Sequence, residues 1–304
     1  GGLVGQNLAS SITTSYATGD VAGNEHVGGL VGSHEGGSPI TNSYATGSVT
    51  GISKVGGLVG KNDGSFVTNS YATGVVTGDL EGAGGLVGFN SGNITNSYSI
   101  GDVNSGDDSG QVGGLIGWMS DGAMTHCWWS NQTNSNGVGF GRGNAKRAAS
   151  AEAFDDKTQG VYDQGEPNAW DFVNTWNIVE NKTHPYLSWQ TLVSGRVYSD
   201  LGVTPINDPV DVTVAMEGME MRTKSTDGEG FYNIPVGYST SYDTVRVLVY
   251  TDKAVLEGNT LTMSGVGEDI EGLDIYANTV IARHENAGPV TEMKSLTLKT
   301  LAKR

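Results

Sequence analysis

The stretch "GGLVGSHEGGSPITNSYATGSVTG", Gly28 to Gly51, decides how this chain folds, because both of its halves recur. The first half returns as "GGLVG" at Gly1 to Gly5, Gly56 to Gly60 and Gly84 to Gly88 and as "GGLIG" at Gly113 to Gly117, at intervals of 27, 28, 28 and 29 residues. The second half returns as "ITTSYATGDVAG" from Ile12, "VTNSYATGVVTG" from Val67 and "ITNSYSIGDVNSG" from Ile94, with a degraded copy, "MTHCWWSN", from Met124. A unit of 27 or 28 residues cannot bury its own apolar face and must stack on its neighbours, as solenoid repeats do. No stretch between Gly1 and Ser120 keeps the three-and-four apolar spacing of a helix, so strands build the unit. The expected fold is all-β: a parallel β-solenoid (β-helix) over residues 1–125, of about five coils and about 24 Å tall at ~4.8 Å per coil, then an antiparallel β-sandwich.

Two consequences follow from stacking near-identical coils. The paired glycines serve either a corner with positive φ or a close backbone approach. Side chains at one position form files: Asn42, Asn69 and Asn96 pair their amides, and Tyr16, Tyr44, Tyr71 and Tyr98 overlap their rings, as repeated side chains do in stacked strands. In an unbroken strand Ile40 and Tyr44 share a face. A bend at Asn42 puts them on opposite faces, and parity alone leaves both arrangements open.

Composition narrows the function. The chain of 304 residues carries 33 acidic and 17 basic side chains, a formal charge of −16, which repels phosphate backbones and anionic lipid, so neither nucleic-acid binding nor membrane insertion is expected. Its 47 glycines accompany an apolar fraction of 37%, which separates it from a disordered glycine-rich linker. Cys127 is the one cysteine, so neither an internal disulfide nor a cysteine-based zinc site is available. It stands where the other coils have serine and reads as a small buried filler.

These phrases resemble the GLUG repeat of large secreted or surface proteins of bacteria, including adhesin-like proteins and the non-catalytic part of some immunoglobulin A-cleaving metalloproteases. The resemblance covers about residues 1–190, because "HCWWSNQTNSNGVGFGRG" and "WDFVNTWNIVENKTHPYLSWQ" are similar to the segment that closes GLUG arrays. On that reading residues 126–190 form a cap in which Trp128, Trp129, Trp170, Phe172, Trp176, Tyr186 and Trp189 cover the last coil. A short helix is expected around Ala148 to Phe154, where "ASAEAF" is the best helix-forming run in the chain.

From Thr191 the period vanishes. "VSGRVY", "VDVTVAM", "FYNIPV" and "VRVLVYT" alternate as strands between turn phrases such as "INDP" and "STDGEG". Residues 191–250 resemble the carboxypeptidase regulatory-like, transthyretin-like sandwich, which appears as a spacer in bacterial surface proteins; residues 191–304 are read as one Ig-like sandwich whose end is not fixed by pattern.

Chemistry-bearing residues are sparse. A β-helix lyase or hydrolase needs two carboxylates held at a set separation across a sugar. Glu25, Asp102, Asp107 and Asp108, with His26, His34 and Lys61, shift position from coil to coil and supply no repeated pair. "HEGGS" at His34 and "RHENAG" at Arg283 lack the second histidine of a zinc-binding HExxH helix. "GVGFGRG" from Gly137 reads as a loop into the cap rather than a phosphate cradle. Asp102, Asn104, Asp107 and Asp108 fall within one loop at a spacing that brings oxygens round a calcium ion, but the closing bidentate Glu of an EF-hand is absent and a solvated corner is the competing reading. No other cofactor is expected.

The function expected from this reading is non-enzymatic: an extracellular structural and interaction module of a bacterial surface protein, either an adhesin stalk or a self-assembling filament subunit joined head to tail. The chain opens on GGLVG, so its first coil is expected to pair with upstream coils or with another copy, with "SLTLKTL" from Ser295 as a strand that adds to a neighbour's sheet. The partners are then other copies or adjoining domains of a longer chain. Two alternatives stand beside it: a module that binds host or matrix glycans on its tyrosine ladder, and a polysaccharide lyase or hydrolase.

Overall fold

A computed structural model describes residues 1–106, 111–129, 138–141, 146–147, 170–179, 183–200, 204–216, 221–237, 244–251, 257–265 and 268–282. None of these is helical; the helix expected over 148–154 and the tail strand from Ser295 lie outside the described residues. The chain divides into two compact units, Gly1–Trp189 and Gln190–Arg304.

The first unit is a parallel β-solenoid. One coil is made of five short strands, Val31–Glu35, Pro39–Thr41, Tyr44–Ala45, Val49–Gly51 and Ser53–Gly56, and each pairs in parallel with its counterpart one repeat away. Among the described residues there are four complete coils, then a fifth reduced to Ile116–Met119, Met124–Thr125 and Trp128–Trp129, and two further rungs, Val138–Gly141 and Lys146–Arg147. Register follows the repeat: Val4, Val31, Val59, Val87 and Ile116 stack in one file, and Ile12, Ile40, Val67, Ile94 and Met124 in another. Between coils the backbone closes directly, with Leu30 N donating to Leu58 O at 2.9 Å, Leu58 N to Leu86 O at 2.9 Å and Leu86 N to Leu115 O at 2.8 Å.

Two apolar columns run the length of the coils. The larger holds the Leu-Val pairs of the GGLVG phrase, the Ile40 file and Ala45 and Ala72. The smaller holds Val27, Val49, Val55, Val76, Ala83 and Val103, between the fourth and fifth strands of each coil. The glycine pairs lie where the backbone of one coil passes closest to the next. A Cβ on Gly57 would stand 2.1 Å from Gly85 O and 2.9 Å from Ala72 Cβ, and one on Gly56 would stand 2.0 Å from Val59 O. Close approach, not positive φ, is therefore what GGLVG requires. Left-handed backbone falls instead on the asparagines, with φ of 50° at Asn42, 48° at Asn69 and 47° at Asn96, a conformation that asparagine tolerates better than most residues. Among the described residues Asn42 Oδ1 and Asn96 Oδ1 have no hydrogen-bond partner, so the amide ladder expected there does not close, and an amide pair forms elsewhere, between Asn62 and Asn90.

The second unit has two sheets over one core. The first is ordered Phe231–Val236, Thr191–Tyr198, Ile275–Tyr276; the second is Arg222–Ser225, Asp211–Met216, Thr244–Thr251, Gly258–Gly265, Val280–Ala282. Inward residues alternate along the strands: Val212, Val214 and Met216 lie beside Val245, Val247 and Val249 on the second sheet, in the same core as Val193, Val197, Tyr232 and Ile234 of the first. The sheets are mainly antiparallel, with two parallel pairs at Val197↔Ile275 and Asn259↔Val280 that the alternation pattern did not indicate. "STDGEG" does not close a hairpin, because the strands on either side belong to different sheets. Asp227 Oδ1 holds that turn by accepting from the backbone N–H of Glu229 at 2.9 Å and of Phe231 at 2.8 Å.

Gly57→Ala is expected to destabilise the solenoid by about 3 kcal/mol or more in a denaturant melt, since backbone cannot give way at both contacts. Gly19→Ala, where an added Cβ meets nothing within 4 Å, is expected to stay within about 0.5 kcal/mol of the parent. Equal effects would show that the close approach is not what the glycine pair supplies.

Candidate functional site

The side of the solenoid that carries the tyrosines is its most elaborated surface. The turn at Asn42 reverses strand parity, so Ile40 and Ala45 face the core while Tyr44 points outward. Tyr16, Tyr44, Tyr71 and Tyr98 form a file of parallel rings with centroid separations of 5.2, 5.0 and 5.0 Å and interplanar angles of 11°, 7° and 6°. Trp128 continues the file in the next coil, paired with Tyr98.

Outward-pointing rings are not open rings. The segment from Trp170 to Trp189 runs back along the tyrosine file as a strap. Trp170 lies 5.9 Å from Tyr98, Trp176 lies 6.2 Å from Tyr71 and 5.9 Å from Tyr98, and Trp189 lies 5.7 Å from Tyr44 and 6.0 Å from Tyr16. Indole N–H groups anchor its two ends on the backbone of the left-handed corners: Trp170 Nε1 donates to His126 O at 3.0 Å and Trp189 Nε1 to Asn42 O at 3.1 Å. Tyr98 Oη donates to Pro185 O at 2.5 Å. A short antiparallel pair, Trp176–Asn177 with Tyr186–Leu187, stiffens the strap, and Asp171 ties its first turn by accepting from Val173 N and Asn174 N at 2.9 and 3.1 Å. These bonds hold the Asp171 carboxyl below its ordinary range.

Of the tryptophans in residues 126–190, only Trp129 enters the core of the last coil, in the position that Ala45 and Ala72 occupy above, where the missing Cβ of Gly114 leaves it room. Trp128, Trp170, Trp176 and Trp189 cover the side instead. Tyr44, Tyr71 and Tyr98 are 0%, 3% and 1% exposed, so their rings are covered, while Tyr16 at the first coil is half-buried.

A buried polar ladder, which the sequence reading missed, runs inside the corner after the GGLVG strand. Asn7, His34, Asn62 and Asn90 stack in register and are almost wholly buried. Asn62 Nδ2 donates to Asn90 Oδ1 at 2.7 Å and to Ser65 O at 3.2 Å, and Asn90 Nδ2 donates to Gly92 O at 2.7 Å. Its signal was a polar residue repeated three positions after each "LV" pair. A serine ladder lies on the next corner, where Ser15, Ser43 and Ser70 donate their backbone N–H to the hydroxyl of Ser43, Ser70 and Ser97 at 3.2 to 3.3 Å. Cys127 continues that file and is 2% exposed, and burial pushes its thiol up to about 12.

The charged candidates are dispersed. On the outer face Lys61 Nζ lies 2.7 Å from Asp63 and 3.6 Å from Glu35, while Ser33 Oγ and Ser91 Oγ donate to those carboxylates at 2.8 and 3.0 Å. The pairing raises the Lys61 ammonium and lowers Asp63; a hydrogen bond from Ser33 and then the charge of Lys61 lower Glu35. His26 stands beside Lys54 Nζ at 3.5 Å, and the charges of Lys61 and Glu35 also reach it. Of the calcium candidates, Asp102 and Asn104 are exposed on a corner and its following strand, and Asp107 and Asp108 lie outside the described residues. Among the described residues no three His, Cys, Asp or Glu side chains cluster at metal-ligand distance. In "GVGFGRG" Val138–Gly141 forms a rung on the solenoid sheet.

Four consecutive segments, residues 1–22, 23–50, 52–77 and 79–104, match the GLUG motif, and each corresponds to one coil of the solenoid. No curated protein and no solved structure matches the chain.

Two outcomes follow from this geometry. Trp176→Ala, which empties a fully buried position, is expected to cost about 3–5 kcal/mol in a denaturant melt and to raise nitration of Tyr71 and Tyr98 by tetranitromethane, mapped by mass spectrometry. Iodoacetamide at neutral pH is expected to leave Cys127 unmodified in the folded protein and to alkylate it after unfolding; fast labelling of folded protein would contradict the buried, protonated thiol.

Proposed function

We propose that this chain, with its four GLUG repeats, is a non-catalytic structural and interaction module of a bacterial surface or secreted protein, a stiff spacer that extends by stacking coil on coil. The observation that carries this reading is the coil-to-coil register: five parallel sheets repeat the same residues at the same positions through four coils, so each coil offers its neighbour the same pattern of N–H and C=O groups. Such an edge accepts a further coil from the same chain or from another copy, and the reading extends to an adhesin stalk or a filament subunit joined head to tail. The resemblance of residues 191–250 to spacer sandwiches supports the same role. Stiffness comes from continuous backbone pairing along the axis, and the strap adds side-chain packing that spans several coils.

Size-exclusion light scattering with electron microscopy of the purified protein tests the assembly. Ordered fibres that advance by about one molecule per repeat place the function in the coil edges; a monodisperse rod places it in a spacer within a longer chain. Release of reducing ends from a polysaccharide panel by the purified chain would overturn the non-catalytic reading.

A further inference from the structure

The buried polar ladder has one rung that differs in kind from the others. Asn7, Asn62 and Asn90 each donate an amide N–H to a carbonyl of their own corner, Ser10 O, Ser65 O and Gly92 O. His34 takes the same role through Nε2, 2.8 Å from Ser38 O. Its other nitrogen, Nδ1, lies 3.1 Å from Asn7 Nδ2, which offers hydrogens, so Nδ1 must accept. Both contacts are satisfied only by the neutral Nε2–H tautomer. The ring is 0% exposed.

The exchange of asparagine for histidine leaves a further mark. Asn62 Nδ2 passes a hydrogen bond to Asn90 Oδ1 in the next coil, but Asn62 Oδ1 has no partner although the residue is fully buried. An asparagine at position 34 would hold an N–H for that oxygen, whereas the neutral imidazole has spent its single N–H on Ser38. The second coil is therefore joined to the first by a group whose hydrogen-bonding pattern is one protonation away from failure.

We infer that His34 is an acid-labile rung, and that its protonation opens the seam between the first two coils. An imidazolium would place Nδ1–H against the Asn7 amide N–H, donor on donor, inside a closed corner. No compensating charge is at hand. The flanking strands Val4–Leu8 and Val59–Asp63 carry only Lys61 and Asp63 as charged residues, which pair with each other at 2.7 Å, and the neighbouring strand Pro39–Thr41 carries none. Glu35, next along the chain, is engaged with Ser33 and Lys61. Burial accordingly lowers the His34 pKa from its ordinary value of 6.5.

The direction of the pH effect follows from linkage. The opened seam binds the proton more readily than the closed one, so closure is fully favoured above about pH 6.5 and is lost progressively as pH falls from there toward the depressed value of the closed form. The opening constant rises by up to about thirtyfold at about pH 5. Opening frees the backbone edges of Val31–Glu35 and Pro39–Thr41, the strands on either side of the corner.

Hydrogen-exchange mass spectrometry on the whole chain tests this, with protection factors corrected for intrinsic rates at about pH 7.5 and about pH 5. Peptides covering residues 4–8 and 31–41 are expected to lose protection at the lower pH while those covering residues 59–63 and 87–90 keep it. His34→Asn is expected to abolish the difference and to match or exceed the parent's protection at neutral pH, by giving Asn62 Oδ1 its donor. His34→Gln, neutral at every pH, serves the same purpose if the asparagine variant packs poorly. His26, whose value burial and Lys54 also lower, stays intact in both variants and so is separated from the effect. Equal protection of the parent at both pH values, or a pH-dependent loss that survives in both variants, would overturn the inference.

Discussion

The constraint on which everything else depends is the parallel pairing of each coil with the next at a fixed rise of about 4.8 Å. A backbone ladder of that kind tolerates no drift: each coil must return to the same point in the plane, and each position must accept the residue above it. The glycine pairs are the clearest expression. Gly29, Gly57 and Gly85 stand in line where any Cβ would fall on a carbonyl of the next coil, so the site is closed to side chains in every coil at once. The 27-to-29-residue period is the length of chain that goes once round two apolar columns and returns to that point.

Identical stacking also sorts side chains by type. Aliphatic residues fill the columns, polar amides and hydroxyls line the corners where backbone carbonyls need donors, and aromatic rings stack outside with near-parallel planes. A file of tyrosines on the surface is apolar enough to need a cover. The strap supplies one with Trp170, Trp176 and Trp189 spaced to meet successive coils, and it fastens through indole N–H groups to carbonyls left free at left-handed corners. The ladder thus organises packing between distant parts of the chain, from Asn42 to Trp189.

Substitution within a ladder is where individuality enters. Cys127 for serine keeps a small group at a buried corner, and Trp129 for alanine fills the core where the coil shortens. His34 for asparagine keeps one donor and one acceptor but removes the second donor, and the orphaned Asn62 Oδ1 is the visible cost. Each departs from its file in a way that only the neighbours on either side make intelligible.

The sequence by itself determined the solenoid, its period, the residues that stack and the place where the repeats stop, because a repeated local pattern imposes the same local structure wherever it occurs. It also identified the strands of the second unit from Thr191, Val210, Phe231 and Val245 onward, since period-two alternation is a local signal. Tertiary structure decided what no local pattern encodes. The left-handed turn at Asn42 set whether Tyr44 faces in or out, by one dihedral that reverses parity. The strap's path along the side, rather than over the end, rests on pairings between residues up to 147 positions apart, such as Trp189 with Asn42. The buried ladder from Asn7 to Asn90 escaped notice for the same reason: scattered polar residues become a hydrogen-bonded column only once the coils lie on top of one another.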